Sequence, residues 1–94
     1  MLLKDKVKLI VTAHAKQRMR ERGISFEEVL EALQEPVQLA YDKDKDVYIA
    51  VAHKGYAIVY AFRGNIVEIV TVLGKKEYEA LMSKHGVKRY KVIE

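Results

Sequence analysis

The spacing of apolar residues changes twice along the chain. It is helical up to Pro36, strand-like from there to Leu73, and helical again after Gly74. Residues 7–11 form a short apolar run that predicts a strand. Thr12 then offers a hydroxyl at a helix N-cap position, residues 13–22 read as helix, and Gly23 suits a left-handed stop. Ser25-Phe26-Glu27-Glu28 matches a capping box, with Ser25 as cap and Glu28 reaching back. Phe26, Val29, Leu30 and Leu33 follow at i, i+3, i+4 and i+7, the apolar stripe of a second helix. Pro36 ends that helix by disfavouring helical angles at Glu35.

Beyond Pro36, residues 37–41, 47–53, 56–63 and 66–73 read as four strands, separated by the polar run 42–46, by Lys54-Gly55 and by Gly64-Asn65. The two short turns predict an antiparallel meander. In the third of these strands Tyr56, Ile58, Tyr60 and Phe62 share one face, and Ala57, Val59, Ala61 and Arg63 the other. The small residues suggest close coverage by helices, so the two N-terminal helices are expected on that face, in two layers. A third helix is expected over residues 75–84, with Tyr78, Leu81 and Met82 at core spacing, closed by His85-Gly86. Residues 87–93 read as a final edge strand, pairing within the chain or with a second copy in a homodimer. The expected fold class is α+β: two N-terminal helices packed on an antiparallel sheet of about four strands, with an added C-terminal helix and short strand.

Composition narrows the alternatives. The chain of 94 residues, half of them hydrophobic, suits one domain spanning 1–94. Cysteine is absent, which excludes a disulfide scaffold, a thiol nucleophile and a thiolate zinc site. No apolar run approaches the roughly 20 residues of a membrane-spanning helix. The first six residues do not read as a signal peptide, because Asp5 and Lys6 interrupt a short apolar start. These features together predict a soluble cytoplasmic protein without membrane contact. A single asparagine amid abundant Lys and Glu leans towards thermophile composition.

The net charge is +4, and its placement matters more than its size. Lys4, Lys6, Lys8, Lys16, Arg18, Arg20 and Arg22 crowd the first 22 residues, and Lys84, Lys88, Arg89 and Lys91 form a second group. A solvated surface explains such charge; so does a polyanionic partner.

His14, Arg18 and Arg22 fall four apart and form one drifting line along a helix. Arginine keeps its proton and binds phosphate oxygens, and histidine exchanges a proton near neutral pH. RNA cleavage by 2′-hydroxyl attack needs a proton acceptor, a proton donor and cations on the phosphorane. The bland alternative packs His14 at a helix start and pairs the arginines with Glu21 or other nearby acids. Lys16, Arg20 and Arg63 are candidates for nucleic-acid contact. Thr71, polar within an apolar strand, is either at home as a β-branched residue or turned to a cleft. Tyr56, Tyr60 and Phe62 form core packing or, on an open face, stack bases, with packing favoured. His53 is expected exposed, His85 to complement a helix end, and Glu27, Glu28 and Glu31 to form a solvated helix face. No histidine spacing matches a metal site, and no P-loop, H-E-x-x-H or G-x-S-x-G is present, so no metal or cofactor is expected.

The stretch from Thr12 to Ser25 resembles a family of small prokaryotic domains of unknown function with an H-A-x-x-R-M-x-x-R-G-I-S signature, followed by an E-E-x-V helix and a proline. Glu27-Glu28 with Val29, Pro36 and Val70-Thr71-Val72 extend the likeness over residues 10–73. That family is similar to the RelE and BrnT toxins and to the barnase–EndoU–colicin–RelE group of metal-independent ribonucleases. The resemblance implies a toxin or ribonuclease acting on RNA, free or ribosome-bound, with an antitoxin protein as partner. His14, Arg18 and Arg22 would form its active site, with Thr71 as a supporting polar group. A non-catalytic nucleic-acid-binding module and a self-assembly domain remain as alternatives. The second acid/base group stays unassigned, with Tyr60, Arg63 and His53 as the candidates.

Overall fold

The computed structural model describes residues 8–93. The N-terminal segment read above as lacking a signal peptide, with Lys4, Lys6 and Val7, lies outside the described residues. The elements run β1 (Lys8–Val11), α1 (Ala13–Arg22), α2 (Phe26–Gln34), β2 (Gln38–Asp42), β3 (Val47–Val51), β4 (Ala57–Arg63), β5 (Ile66–Leu73), α3 (Lys75–His85) and β6 (Tyr90–Val92), with a short 3-10 turn at Gly86–Lys88.

Local signals account for the element ends. The Thr12 hydroxyl accepts the Ala15 N–H, and Gly23 closes α1 at φ 67°, where an L side chain is strained. Ser25 and Glu28 form the reciprocal capping box of α2. The buried stripe of α2 is Val29, Ala32 and Leu33, whereas Phe26, expected on it, is exposed.

The class is α+β as expected, but the sheet is larger and mixed. Six strands lie in the order β1-β5-β4-β3-β2-β6. The four strands β2 to β5 form the antiparallel meander. To these β1 adds itself parallel to β5, with Lys8 opposite Ile66 and Val11 opposite Ile69. At the other edge β6 pairs antiparallel with β2, so the terminal strand is used within its own chain.

The helices occupy both faces of the sheet, which corrects the two-layer expectation. Ile58 and Tyr60 of β4 join Ala15, Val29 and Leu33 in a core under α1 and α2. Ala57 and Val59 belong to a second core with Tyr78, Leu81 and Met82 of α3. The small residues of β4 do serve a closely packed helix, but that helix is α3. Strand alternation shows that two faces exist; it carries no label for which helix covers which.

One irregularity bears on the site. Val59 lies opposite Thr71 and Tyr60 opposite Ile69, so Val70 is an extra residue in β5. Such a bulge shifts side-chain alternation by one position. Ile69 and Val72 therefore both reach the α1/α2 core, while Val70 and Thr71 line a cavity with Leu81 of α3.

Candidate functional site

The α1 helix is anchored over the end of β5. Thr12 donates its N–H to the Ile69 carbonyl at 3.1 Å and its hydroxyl to the Val70 carbonyl at 3.1 Å. Nearly three turns later Arg22 has come beside Gly74, where a Cβ would stand 2.7 Å from Nη1 of the guanidinium. His14, Arg18 and Arg22 thus follow α1 from β5 towards the start of α3.

There the two arginines meet Glu77. Nη2 of Arg18 donates to both carboxylate oxygens, at 2.6 and 2.7 Å. Nη2 of Arg22 donates to Oε1 as well. The Gly74 N–H adds a further hydrogen bond to that oxygen at 2.9 Å. Arg18 first and then the Gly74 amide hold the Glu77 carboxyl below its ordinary pKa of 4.5 against the opposing effect of burial, with Arg22 the weakest contributor. At neutral pH Glu77 is therefore a carboxylate that accepts and cannot donate. Two guanidiniums on one carboxylate leave a net single positive charge.

The arginine partner expected from the sequence was Glu21 or another nearby acid. Glu21 instead accepts from Gln17 at 3.1 Å, one turn away on α1. His14 is exposed and makes no polar contact among the described residues. Nε of Arg18 is buried without a hydrogen-bond partner among them.

The other candidates fall elsewhere. Lys16 and Arg20 are exposed on the opposite side of α1, beside a shallow depression shared with Met19 and Ser25. Arg63 lies at the β4–β5 hairpin, paired with Glu68 at 2.8 Å. Thr71 faces a cavity of about 160 Å³ under α3, with Asp42, Leu81, Arg89 and Tyr90 among its lining. Without the bulge at Val70, Thr71 would share the face of Ile69, the side on which α1 lies. Tyr60 is buried, and its hydroxyl pKa is pushed up by that burial and by Tyr48. Its stacking on Tyr48, with ring centroids 5.7 Å apart, belongs to the core, as the packing alternative has it. Phe62 is 43% exposed at the edge of the same ring cluster. His53 is exposed, as expected. His85 sets its ring 6.1 Å from Tyr90. Glu28, expected in a solvated face, is committed to the α2 cap and to Lys54 at 3.2 Å.

Two contributors were missed in the sequence. Glu77 carries a local signal as an acid in the first turn of a helix, but nothing local pairs it with residues 55 and 59 positions earlier. Asp42 is the second. Its side chain is only 4% exposed and receives a two-pronged grip from Arg89, Nε to Oδ1 at 3.0 Å and Nη2 to Oδ2 at 2.9 Å. The N–H groups of Asp44 and Lys45 complete its shell. Burial alone would raise the Asp42 pKa; Arg89 and the two amides outweigh it and hold the carboxyl below 3.8. Among the described residues, no group of three His, Asp or Glu is placed to hold a metal ion, and no helix is long and apolar enough to cross a membrane.

An α+β fold with a basic helix poised at the end of a meander is the class that these features define. Residues 11–74 match the family described as Domain of unknown function (DUF4258), and the chain belongs to that family. The match takes in α1, α2 and the meander and ends before α3, so Glu77 and Arg89 stand outside it. No curated protein and no solved structure matches the chain.

Proposed function

We propose that this chain binds RNA along α1 and cleaves it in the manner of the RelE-type ribonucleases to which the family resembled by its first helix is similar. One observation supports the reading above others. Arg18 and Arg22, from successive turns of α1, converge on a single oxyanion carrier, Glu77. A phosphodiester placed against the same guanidiniums would have its charge neutralised as the pentacovalent phosphorane forms. In such a reaction the 2′-hydroxyl loses its proton to a base and O2′ bonds to phosphorus. The P–O5′ bond breaks, and the departing O5′ receives a proton from an acid. The products are a 2′,3′-cyclic phosphate and a 5′-hydroxyl. Glu77 would take the proton, with a basicity that its ion pairs lower, and His14, one turn before Arg18, would supply one.

Cleavage is checked by incubating the protein with single-stranded RNA, with and without ribosomes, and resolving the products. His14→Ala is expected to slow cleavage by roughly 10²- to 10⁴-fold, the usual worth of a positioned proton-transfer group, and Arg18→Ala by roughly 10²- to 10³-fold, the worth of one group aimed at transition-state charge. His14 is exposed, so its loss leaves the fold intact. If the wild type leaves every RNA whole under both conditions, the catalytic reading is lost.

A second reading, binding without cleavage, has its own support: both guanidiniums are already occupied by Glu77. It predicts salt-dependent RNA retention, no product, and a shallower salt slope when Arg22 is removed.

A further inference from the structure

Beside the arginine pair lies a depression of about 360 Å³ that none of the sequence motifs indicated. Three distant segments build it: the end of α1 with Arg22, the β3–β4 turn with Lys54 and Tyr56, and the start of α3 with Gly74 and Lys75. Its lining holds three cations and one acid, Glu28. Glu28 is spent on the Ser25 amide and on Lys54. Lys75 is exposed and makes no ion pair among the described residues.

Two glycines allow the cations to gather this closely. A Cβ on Gly74 would meet Arg22 Nη1 at 2.7 Å, and a Cβ on Gly55 would meet Cδ of Lys75 at 2.9 Å. Gly55 also sits at φ 100°, where side chains are strained. The Lys75 stem therefore lies against the β3–β4 turn, and Lys75 lines the same depression as Lys54 and Arg22. Arg22 and Lys54 keep their ion pairs with Glu77 and Glu28, and Lys75 adds a further positive charge beside them, a surplus that an anion in the depression would take up.

We propose that Arg22, Lys54 and Lys75 form a phosphate-binding subsite that takes a backbone phosphate of the RNA strand lying along α1. The inference rests on the RNA-binding reading above and extends it, because Arg22 borders both places. The guanidinium pair at Glu77 handles one phosphate, and the depression holds a neighbouring one. Volume is compatible: small-ligand sites occupy roughly 300–1,000 Å³.

The test compares the wild type with the double variant Lys54→Gln/Lys75→Gln, titrated with a short single-stranded RNA over a salt series and, separately, with inorganic phosphate followed by amide NMR shifts. Both lysines are exposed, and unchanged thermal melting checks that the fold is kept. The expected result is RNA binding weakened about tenfold at low salt and a log–log salt slope shallower by about 0.7, the value for one single-strand phosphate contact. Phosphate is expected to shift the amides of Gly55 and Lys75 in the wild type and not in the double variant. Lys54→Arg/Lys75→Arg should restore the slope.

An unchanged slope in the double variant, with Arg18→Ala still weakening binding, overturns the subsite and leaves the RNA reading standing. Shifts from inorganic phosphate with no RNA binding overturn the RNA source and show a site for free phosphate alone. RNA binding by the wild type without any cleavage, weakened in the double variant as expected, supports the subsite and removes only the catalytic step.

Discussion

Two arginine–carboxylate sites, Arg89 with Asp42 and Arg18 plus Arg22 with Glu77, use the same chemistry for different ends. At the first, the side chains are 17% and 4% exposed, and two parallel N–H···O bonds match fork to fork. Two backbone amides add their hydrogen bonds to Oδ1 of Asp42, so four donors in all hold the carboxylate in place. This pair ties the last strand and the 3-10 turn to the β2–β3 turn. At the second, Glu77 is 43% exposed, one amino group of Arg18 straddles both oxygens, and a second guanidinium crowds onto one of them. A closed, charge-balanced pair holds structure together. An open pair with surplus positive charge is available to an anion.

The largest test of that contrast is Asp42→Ala. It leaves a largely buried guanidinium with only the longer ion pair to Asp44, at 3.8 Å, and frees two turn amides, so a loss of about 3 kcal/mol is expected in urea unfolding. Domains of this size have only about 5–15 kcal/mol in hand, and β6 should lose amide protection first. A loss below about 1 kcal/mol would make the two sites alike and end the comparison.

The second test is acid titration of stability. Both carboxyls have folded pKa values below their ordinary 3.8 and 4.5. The unfolded chain therefore binds more protons as pH falls through that range, and stability rises with pH there. The contributions are fully present above the ordinary values and are lost as pH drops towards the lowered ones. Asp42→Ala should flatten this acid limb strongly. Glu77→Gln should flatten it weakly, because solvent and salt screen an exposed pair. Equal flattening by the two substitutions would contradict the assignment of Asp42 as the structural site.

The smallest effect on stability belongs to Glu77→Gln itself, a change within about 1 kcal/mol. Its functional effects should be larger and opposed. RNA binding tightens as a competing carboxylate is neutralised, while cleavage falls as the proton acceptor is lost. Filter binding and product analysis on one preparation separate the two, and weaker binding would argue that Glu77 positions the arginines instead of competing for them.

The sequence carried the parts of this fold whose causes lie within a few residues. Thr12, Gly23 and the Ser25–Glu28 box mark helix ends because caps are made between near neighbours. The Gly64 turn, at φ 66°, joins β4 to β5 for the same reason. The line of His14, Arg18 and Arg22 was equally legible, since helical spacing alone puts those residues on one side of α1.

What the tertiary structure decided is everything that depends on segments far apart. Period-two alternation has no term for the parallel addition of β1 to β5, nor for placing α3 on the face of Ala57 and Val59. A single extra residue, Val70, turned Thr71 away from the face of α1, and nothing in Val70-Thr71-Val72 distinguishes a bulged strand from a regular one. The partners of the basic helix followed the same rule. Residues 14–22 supply the cations, but chain closure across more than 50 positions brings Glu77 to them and Lys75 beside them, and a shorter closure adds Lys54. Helical geometry fixes direction within a turn or two; charge partnership is settled by packing.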